Sequence, residues 1–436
     1  MTEQRHSNVD PSWLRGLTSP RMSRRSVLKS MGVGAGALSL SAILAACGTP
    51  EAEAPVTGAQ PGGEGSPEWW AERVAEGPGE NVNFTNWPQY IDLKGDGEGN
   101  RVRPTLDAFI EETGINVTYR ADINDNAGFY ASIRPALEAG EPTGHDIIVI
   151  TNGTELTELR QRGFLIELDH SLTPNFNANA DPSIVDPAFD PDNQYTMSWQ
   201  SGMTGIAWNT DFVDEEVTSF ESLLDDRYAG HIGMFANDDT PNLVMAWLGI
   251  EPTTSTPEDW QKAADWMVEQ RDSGLVRAYY TQDFLRAFQE GDLWITMAWS
   301  GDIINQQLYN PQYASFRFDV PQEGGMLWTD NCCIPTLAEN PYGAIQVMDW
   351  YYQPDIAALL TEWNAYVSPV PAGGELVQQH ADEASGGTKT ILQTIAGSPY
   401  VFPDADLSSR LYSYREFTTG EELEQWNDLF RPIYVS

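Results

Sequence analysis

From Asn81 onward the chain alternates short apolar runs with amphipathic stretches, the rhythm of strands and helices taken in turn. Val82 to Trp87 reads as a strand, and Pro104 to Thr113 as a helix with Leu106, Phe109 and Ile110 on one face and Gly114 as its stop. Ile115 to Tyr119 alternates as the next strand. Asp146-Ile147-Ile148-Val149-Ile150 is a solid apolar run, as expected of a parallel strand covered on both faces, and a helix around Leu156 and Leu159 follows it, ended by Gly163. This β-α-β order predicts an α/β fold with mainly parallel sheets flanked by helices. In such sheets ligands sit beyond the carboxyl ends of the strands. The strand ends are Asn86-Trp87-Pro88-Gln89-Tyr90, Thr151-Asn152-Gly153, Asn237-Asp238-Asp239 and Trp299-Ser300-Gly301-Asp302.

The first eighty residues follow a different pattern. Ser23-Arg24-Arg25-Ser26-Val27-Leu28-Lys29 resembles a twin-arginine export motif, with Arg24 and Arg25 as the pair. The uncharged stretch from Met31 to Ala46 ends in Leu44-Ala45-Ala46-Cys47-Gly48, which resembles a lipobox. Residues 1–46 are therefore expected to be a signal peptide, and Cys47 the lipidated attachment to a membrane. The alternative, an uncleaved anchor, is disfavoured because a spanning helix needs about 20 apolar residues. The Pro-, Gly- and Glu-rich text of residues 47–80 reads as a flexible spacer, interrupted by Trp69-Trp70 in a turn that packs on the body.

Composition narrows the picture. The 436 residues exceed what one core usually organises, and 41% hydrophobic residues with 15 Trp supply ample core. The formal charge is −40; six of the 24 basic and two of the 64 acidic residues precede Cys47, which leaves 18 against 62 after it. That field repels nucleic acid and gathers cations, although a salt-tolerant surface has the same composition. Adjacent Cys332 and Cys333 cannot staple distant segments and read as buried thiols in a strand. No metal-ligand spacing and no cofactor motif is present.

At its strand ends the chain resembles the polyamine (spermidine/putrescine) binding proteins of bacterial ABC importers, over about residues 81–430. The resemblance is carried by Asn86-Trp87-Pro88-Gln89-Tyr90, Asp146 to Asn152, Tyr195 to Asn209, Asp225 to His231, Gly291 to Asp302, and Pro321 to Asp330. It implies a two-lobed periplasmic-binding-protein fold, with lobe one at 81–203 plus 330–373 and lobe two at 204–329 plus 374–436. It also implies a monomer that hands its ligand to permease subunits and carries no catalytic residue. Aromatic wall positions fall on Trp87, Tyr90, Trp299, Trp328 and Tyr366, and acids on Asp239, Asp302 and Asp330. Gln89 replaces an acid, Asn242 falls where a second acid stands, and Asn152 occupies a small polar position. A polyamine requires carboxylates at its ammonium ends and aromatic faces along its methylenes.

Competing readings exist for each feature. A Trp is most often core, and Asp302 and Asp239 are both placed to cap helices before Ile303 and Pro241. Asp330 is exceptional, because an acid in the near-apolar run Met326 to Ile334 is costly without a cation. Two rival functions are ferric-iron capture through Tyr279-Tyr280 or Tyr351-Tyr352, and a secreted glycosidase built on carboxylates and aromatics. No catalytic motif favours the second. The absence of a longer set of acids favours a diamine over a triamine, and another small organic cation remains an alternative ligand.

Overall fold

The computed structural model describes residues 63–95 and 101–434. Arg24, Arg25 and Cys47 lie outside the described residues.

The chain enters through helix α1 (Pro67–Glu76), capped by Ser66, whose Oγ accepts from Trp69 N. Trp70 is fully buried and its Nε1 donates to Glu167 O at 2.8 Å. Within the stretch read as a spacer, Trp70 packs on the body as the Trp69-Trp70 interruption leads one to expect, because a large indole needs cover from water.

Strands β1 (Asn81–Thr85), β2 (Asn116–Arg120), β3 (Ile147–Thr151), β4 (Met197–Asn209), β5 (Ile232–Phe235), β6 (Val276–Tyr280), β7 (Ile295–Trp299), β8 (Phe316–Asp319), β9 (Gly325–Cys333) and β10 (Leu411–Tyr412) form one mixed sheet. Their order is β2-β1-β3-β9-β4-β7-β5-β6, with β8 beside β4 and β10 beside β9. Each flank is parallel, β2-β1-β3 on one side and β7-β5-β6 on the other. The centre departs from the parallel expectation: β9 runs antiparallel to β3 and β4, and β4 antiparallel to β7. Two long strands must therefore carry the chain between the flanks, and the expected crossings at 203/204 and 329/330 fall within them.

Helices flank the sheet in the order α2 (Pro104–Thr113), α3 (Asn126–Ala139), α4 (Thr154–Gln161), α5 (Pro174–Asn179), α6 (Asp239–Trp247), α7 (Pro257–Asp272), α8 (Phe284–Gln289), α9 (Ser300–Tyr309), α10 (Pro341–Trp350), α11 (Pro354–Asn364), α12 (Pro371–Glu383), α13 (Gly386–Ala396), α14 (Ala405–Ser408) and α15 (Gly420–Tyr434). α2 buries Leu106 and Phe109 and stops at Gly114 in the left-handed conformation, as its spacing predicts. All of Ile147 to Ile150 is buried in β3. Cys332 and Cys333 are free and buried in β9. Among the described residues no helix is long and apolar enough to cross a membrane.

Candidate ligand site

The site is assembled where β3, β5 and β7 stop, around the middle of β9. β9 carries Trp328 and Asp330 beside β4, and its register on β4 slips between Asp330 and Asn331, a bulge that re-aims the acid. Directly across the other pairing stands Thr151, the last residue of β3. Thr151 Oγ1 donates to Asp330 Oδ1 and Tyr90 OH to Asp330 Oδ2, both at 2.6 Å. Burial, despite these donors, pushes the Asp330 carboxyl up to about 6, with the Asp239 carboxylate adding to the rise.

Tyr366 joins the wall to a second acid. Its ring meets Tyr90 edge-on at 5.5 Å and Trp328 at 5.3 Å, and its hydroxyl donates to Asp302 Oδ1 at 3.1 Å. Two glycines make room for this layer. A Cβ on Gly301 would lie 2.5 Å from Tyr366 Cζ, and the Trp328 and Tyr366 rings cover the place where Gly202 would carry one. Asp302 is half-buried in the first turn of α9, and burial raises it to about 6. It does not cap: α9 begins at Ser300, three residues before Ile303, so its main-chain donors are not offered to Asp302.

The third acid, Asp239, opens α6 and is fully buried. It too forms no cap. Its oxygens accept from Tyr414 OH at 2.6 Å, Trp299 Nε1 at 3.1 Å and Asn237 Nδ2 at 3.1 Å. Trp299 is fixed by stacking on Phe235 at 4.5 Å and by the edge of Phe284 at 5.4 Å. Burial raises the Asp239 carboxyl as well, and among the described residues no basic side chain counters the rise at any of the three acids.

The remaining expected residues line the same region with their polar groups engaged elsewhere. Trp87 is buried, and its Nε1 donates to Val149 O at 3.2 Å. Asn152 Oδ1 accepts from Thr329 N at 2.8 Å, locking the end of β3 to the residue before Asp330. Gln89 has a positive φ of 65°, and its carbonyl accepts from Trp363 Nε1 at 2.8 Å. Asn242 Oδ1 accepts from Arg415 N at 2.9 Å, away from the three acids' bonds. Trp328 Nε1 is buried and finds no acceptor among the described residues.

Thr151, Tyr414, Asn237 and Trp363 were not foreseen. Thr151 was legible as a strand end, but Tyr414 reaches Asp239 across 175 positions of sequence and leaves no local signal. Of the two iron pairs, the first has Tyr279 OH donating to Met267 O at 3.4 Å, and the second is packing. Tyr352 OH donates to Ser198 O at 2.6 Å and Tyr351 packs on Trp199 at 4.5 Å, so both are core.

A cluster of acids and aromatic rings with no basic partner among the described residues is suited to a cation brought from outside. Residues 105–383 match the family described as bacterial extracellular solute-binding protein. The chain belongs to that family. It is a binding protein and not an enzyme. The spermidine/putrescine-binding periplasmic protein of Escherichia coli is 26% identical over 329 residues, covering 74% of this chain and 83% of the relative. A putrescine-binding periplasmic protein of the same organism is 24% identical over 352 residues, covering 77% and 86%. Among solved structures, a putative spermidine/putrescine ABC transporter protein from Listeria monocytogenes superposes with a TM-score of 0.66 at 24% identity, over 82% of this chain and 99% of that one. This solute-binding protein therefore has the two-domain periplasmic-binding-protein fold of its structural neighbour, with Asp239 and Asp302 just past the ends of β5 and β7 on one flank and Asp330 within the central strand β9, bonded to the end of β3 on the other.

Proposed function

We propose that this solute-binding protein captures a short polyamine, a putrescine-like diamine, and delivers it to the permease subunits of an ABC importer. The observation that carries the proposal is the set Asp239, Asp302 and Asp330: three carboxyls raised by burial, with no basic residue among the described ones to offset them. A dication supplies the missing charge, and its methylenes match the Trp328, Tyr366 and Trp299 faces. The names of the relatives point the same way. Gln89 and Asn242 in place of acids leave fewer partners for a third ammonium, which favours the diamine. Trp87, Gln89, Tyr90 and Asn152 complete the ligand-binding set, the first and last by shaping the backbone around it. We further propose that the protein works as an exported monomer, held to the outer face of the membrane by a lipid on Cys47 after passage directed by Arg24 and Arg25.

A thermal-shift series with putrescine, spermidine and ferric citrate tests the ligand. A ligand that binds only the folded state raises the melting temperature in a concentration-dependent way. Putrescine is expected to give the largest shift. A shift with ferric citrate alone, or with none of the three, would overturn the reading.

A further inference from the structure

Beyond the acids that face the cleft, a separate set of polar residues joins the two flanks of the sheet. Thr154 and Glu155 begin α4, directly after β3 on one flank. Asp238 follows β5 on the other flank, and Arg431 and Trp426 lie on α15, which packs against both α7 and α4. Asp238 Oδ2 accepts from Thr154 N at 2.9 Å while its Oδ1 accepts from Trp426 Nε1 at 3.2 Å. Arg431 pairs with Glu155 Oε1 at 3.2 Å, and Thr154 Oγ1 donates to Glu155 Oε2 at 2.8 Å. At the far end of α4, Gln161 Nε2 donates to Phe417 O at 3.1 Å. The two flanks approach so closely here that only glycine fits. Gly153 has φ of 143°, and a Cβ on it would lie 2.7 Å from Asp238 Oδ2.

None of these groups bonds to Asp239, Asp302 or Asp330, and Thr154 and Glu155 are buried. We propose that Asp238, with the Glu155–Arg431 pair, is an inter-lobe clasp that keeps a substantial share of the ligand-free protein closed and so sets affinity without touching the ligand. A carboxylate from one lobe satisfies the first free N–H group of a helix in the other, a bond that exists only while the lobes are together. The apparent dissociation constant of a ligand that needs the closed form is its intrinsic value divided by the closed fraction. Loosening the clasp therefore weakens every ligand by one common factor.

The inference rests on the two-lobe, polyamine-binding reading, and its test is arranged to fail separately. Asp238→Asn keeps the shape but turns an amide N–H towards either Thr154 N or Trp426 Nε1; Arg431→Gln removes the ion pair from a partly exposed position. Calorimetry with putrescine and with spermidine should show both dissociation constants rising by the same factor, on the order of 3–30-fold, with their ratio unchanged. Small-angle scattering of the ligand-free variants should show a larger radius of gyration than the wild type. Unchanged affinities, or a changed ratio between the two ligands, would overturn the clasp. If the wild-type protein binds neither polyamine, the ligand assignment fails and scattering alone decides: an identical radius of gyration in wild type and variants rejects the clasp, and an expanded one upholds it. Melting temperatures of both variants exclude general unfolding as the cause.

Discussion

Asp330 shows how a single buried acid is stored until it is needed. Its two oxygens each accept one short bond, from Thr151 and Tyr90, and among the described residues no cation pairs with it. Asp330→Asn retains the shape and both acceptors' neighbours but leaves a bound ammonium without its charge partner. The expected loss of polyamine affinity is about 2–5 kcal/mol by calorimetry, with an unchanged or slightly raised melting temperature. Near-wild-type affinity in the variant would place Asp330 outside the site. Titration gives a second expectation. Burial holds Asp302 and Asp330 at about 6 in the ligand-free protein, above the 3.8 of an exposed aspartate. Their contribution to stability is therefore complete below about 4 and is lost as the pH climbs through 6. A bound ammonium reverses that preference, because it pairs with the charged carboxylate. Affinity should be highest above pH 7 and fall below pH 6, steepening towards about tenfold per unit for each carboxyl that must release a proton. A flat calorimetric profile between pH 5 and 8 would mean that neither group meets the cation.

At the scale of elements, the sheet's flanks were legible and its centre was not. Ile147 to Ile150 announces a strand buried on both faces, and Pro104 with Gly114 brackets α2 by the residues that start and stop a helix. β4 has no such signature: Met197 to Asn209 is buried throughout, so no alternation marks its faces, and its antiparallel partners lie far away in sequence. The same non-locality hid Tyr414, whereas Trp328 and Asp330 lie in the motif Pro321 to Asp330 and Tyr366 was legible only through the resemblance. Their joint layer depends on Gly301, a residue without a side chain in the first turn of α9. Gly301→Ala should favour the helix locally by up to about 1 kcal/mol. Yet the new Cβ would lie 2.5 Å from Tyr366 Cζ, so the ring must leave the contact that fixes Asp302. Affinity is expected to drop at least about tenfold while the melting temperature changes by only a few degrees. The same affinity in the variant would show that the Tyr366–Asp302 bond does not organise the site.

Across the whole molecule, charge and attachment act together. The chain carries a formal charge of −40 and the three acids have no basic partner among the described residues, so an approaching dication meets attraction at every distance. At close range that attraction is local and partly buried; at long range it is screened within about 10 Å at 0.1 M ionic strength. The two contributions separate in a salt titration. Raising the salt from 20 to 500 mM should lower the association rate of putrescine on the order of tenfold while changing its dissociation rate much less, since rim and field charges govern arrival and buried pairs govern departure. Spermidine, with one more ammonium, should show the steeper dependence of arrival. If instead the dissociation rates carry the salt effect, the ammonium groups sit in solvent and the three buried carboxyls are not their partners. The attachment has its own test. Cys47→Ser should move the protein from the membrane fraction to the soluble extracytoplasmic fraction, because a single Cys carries the proposed lipid. Retention of the variant in the membrane would assign anchoring to the apolar stretch from Met31 to Ala46, and would place the negatively charged body on a protein tether in place of a lipid one.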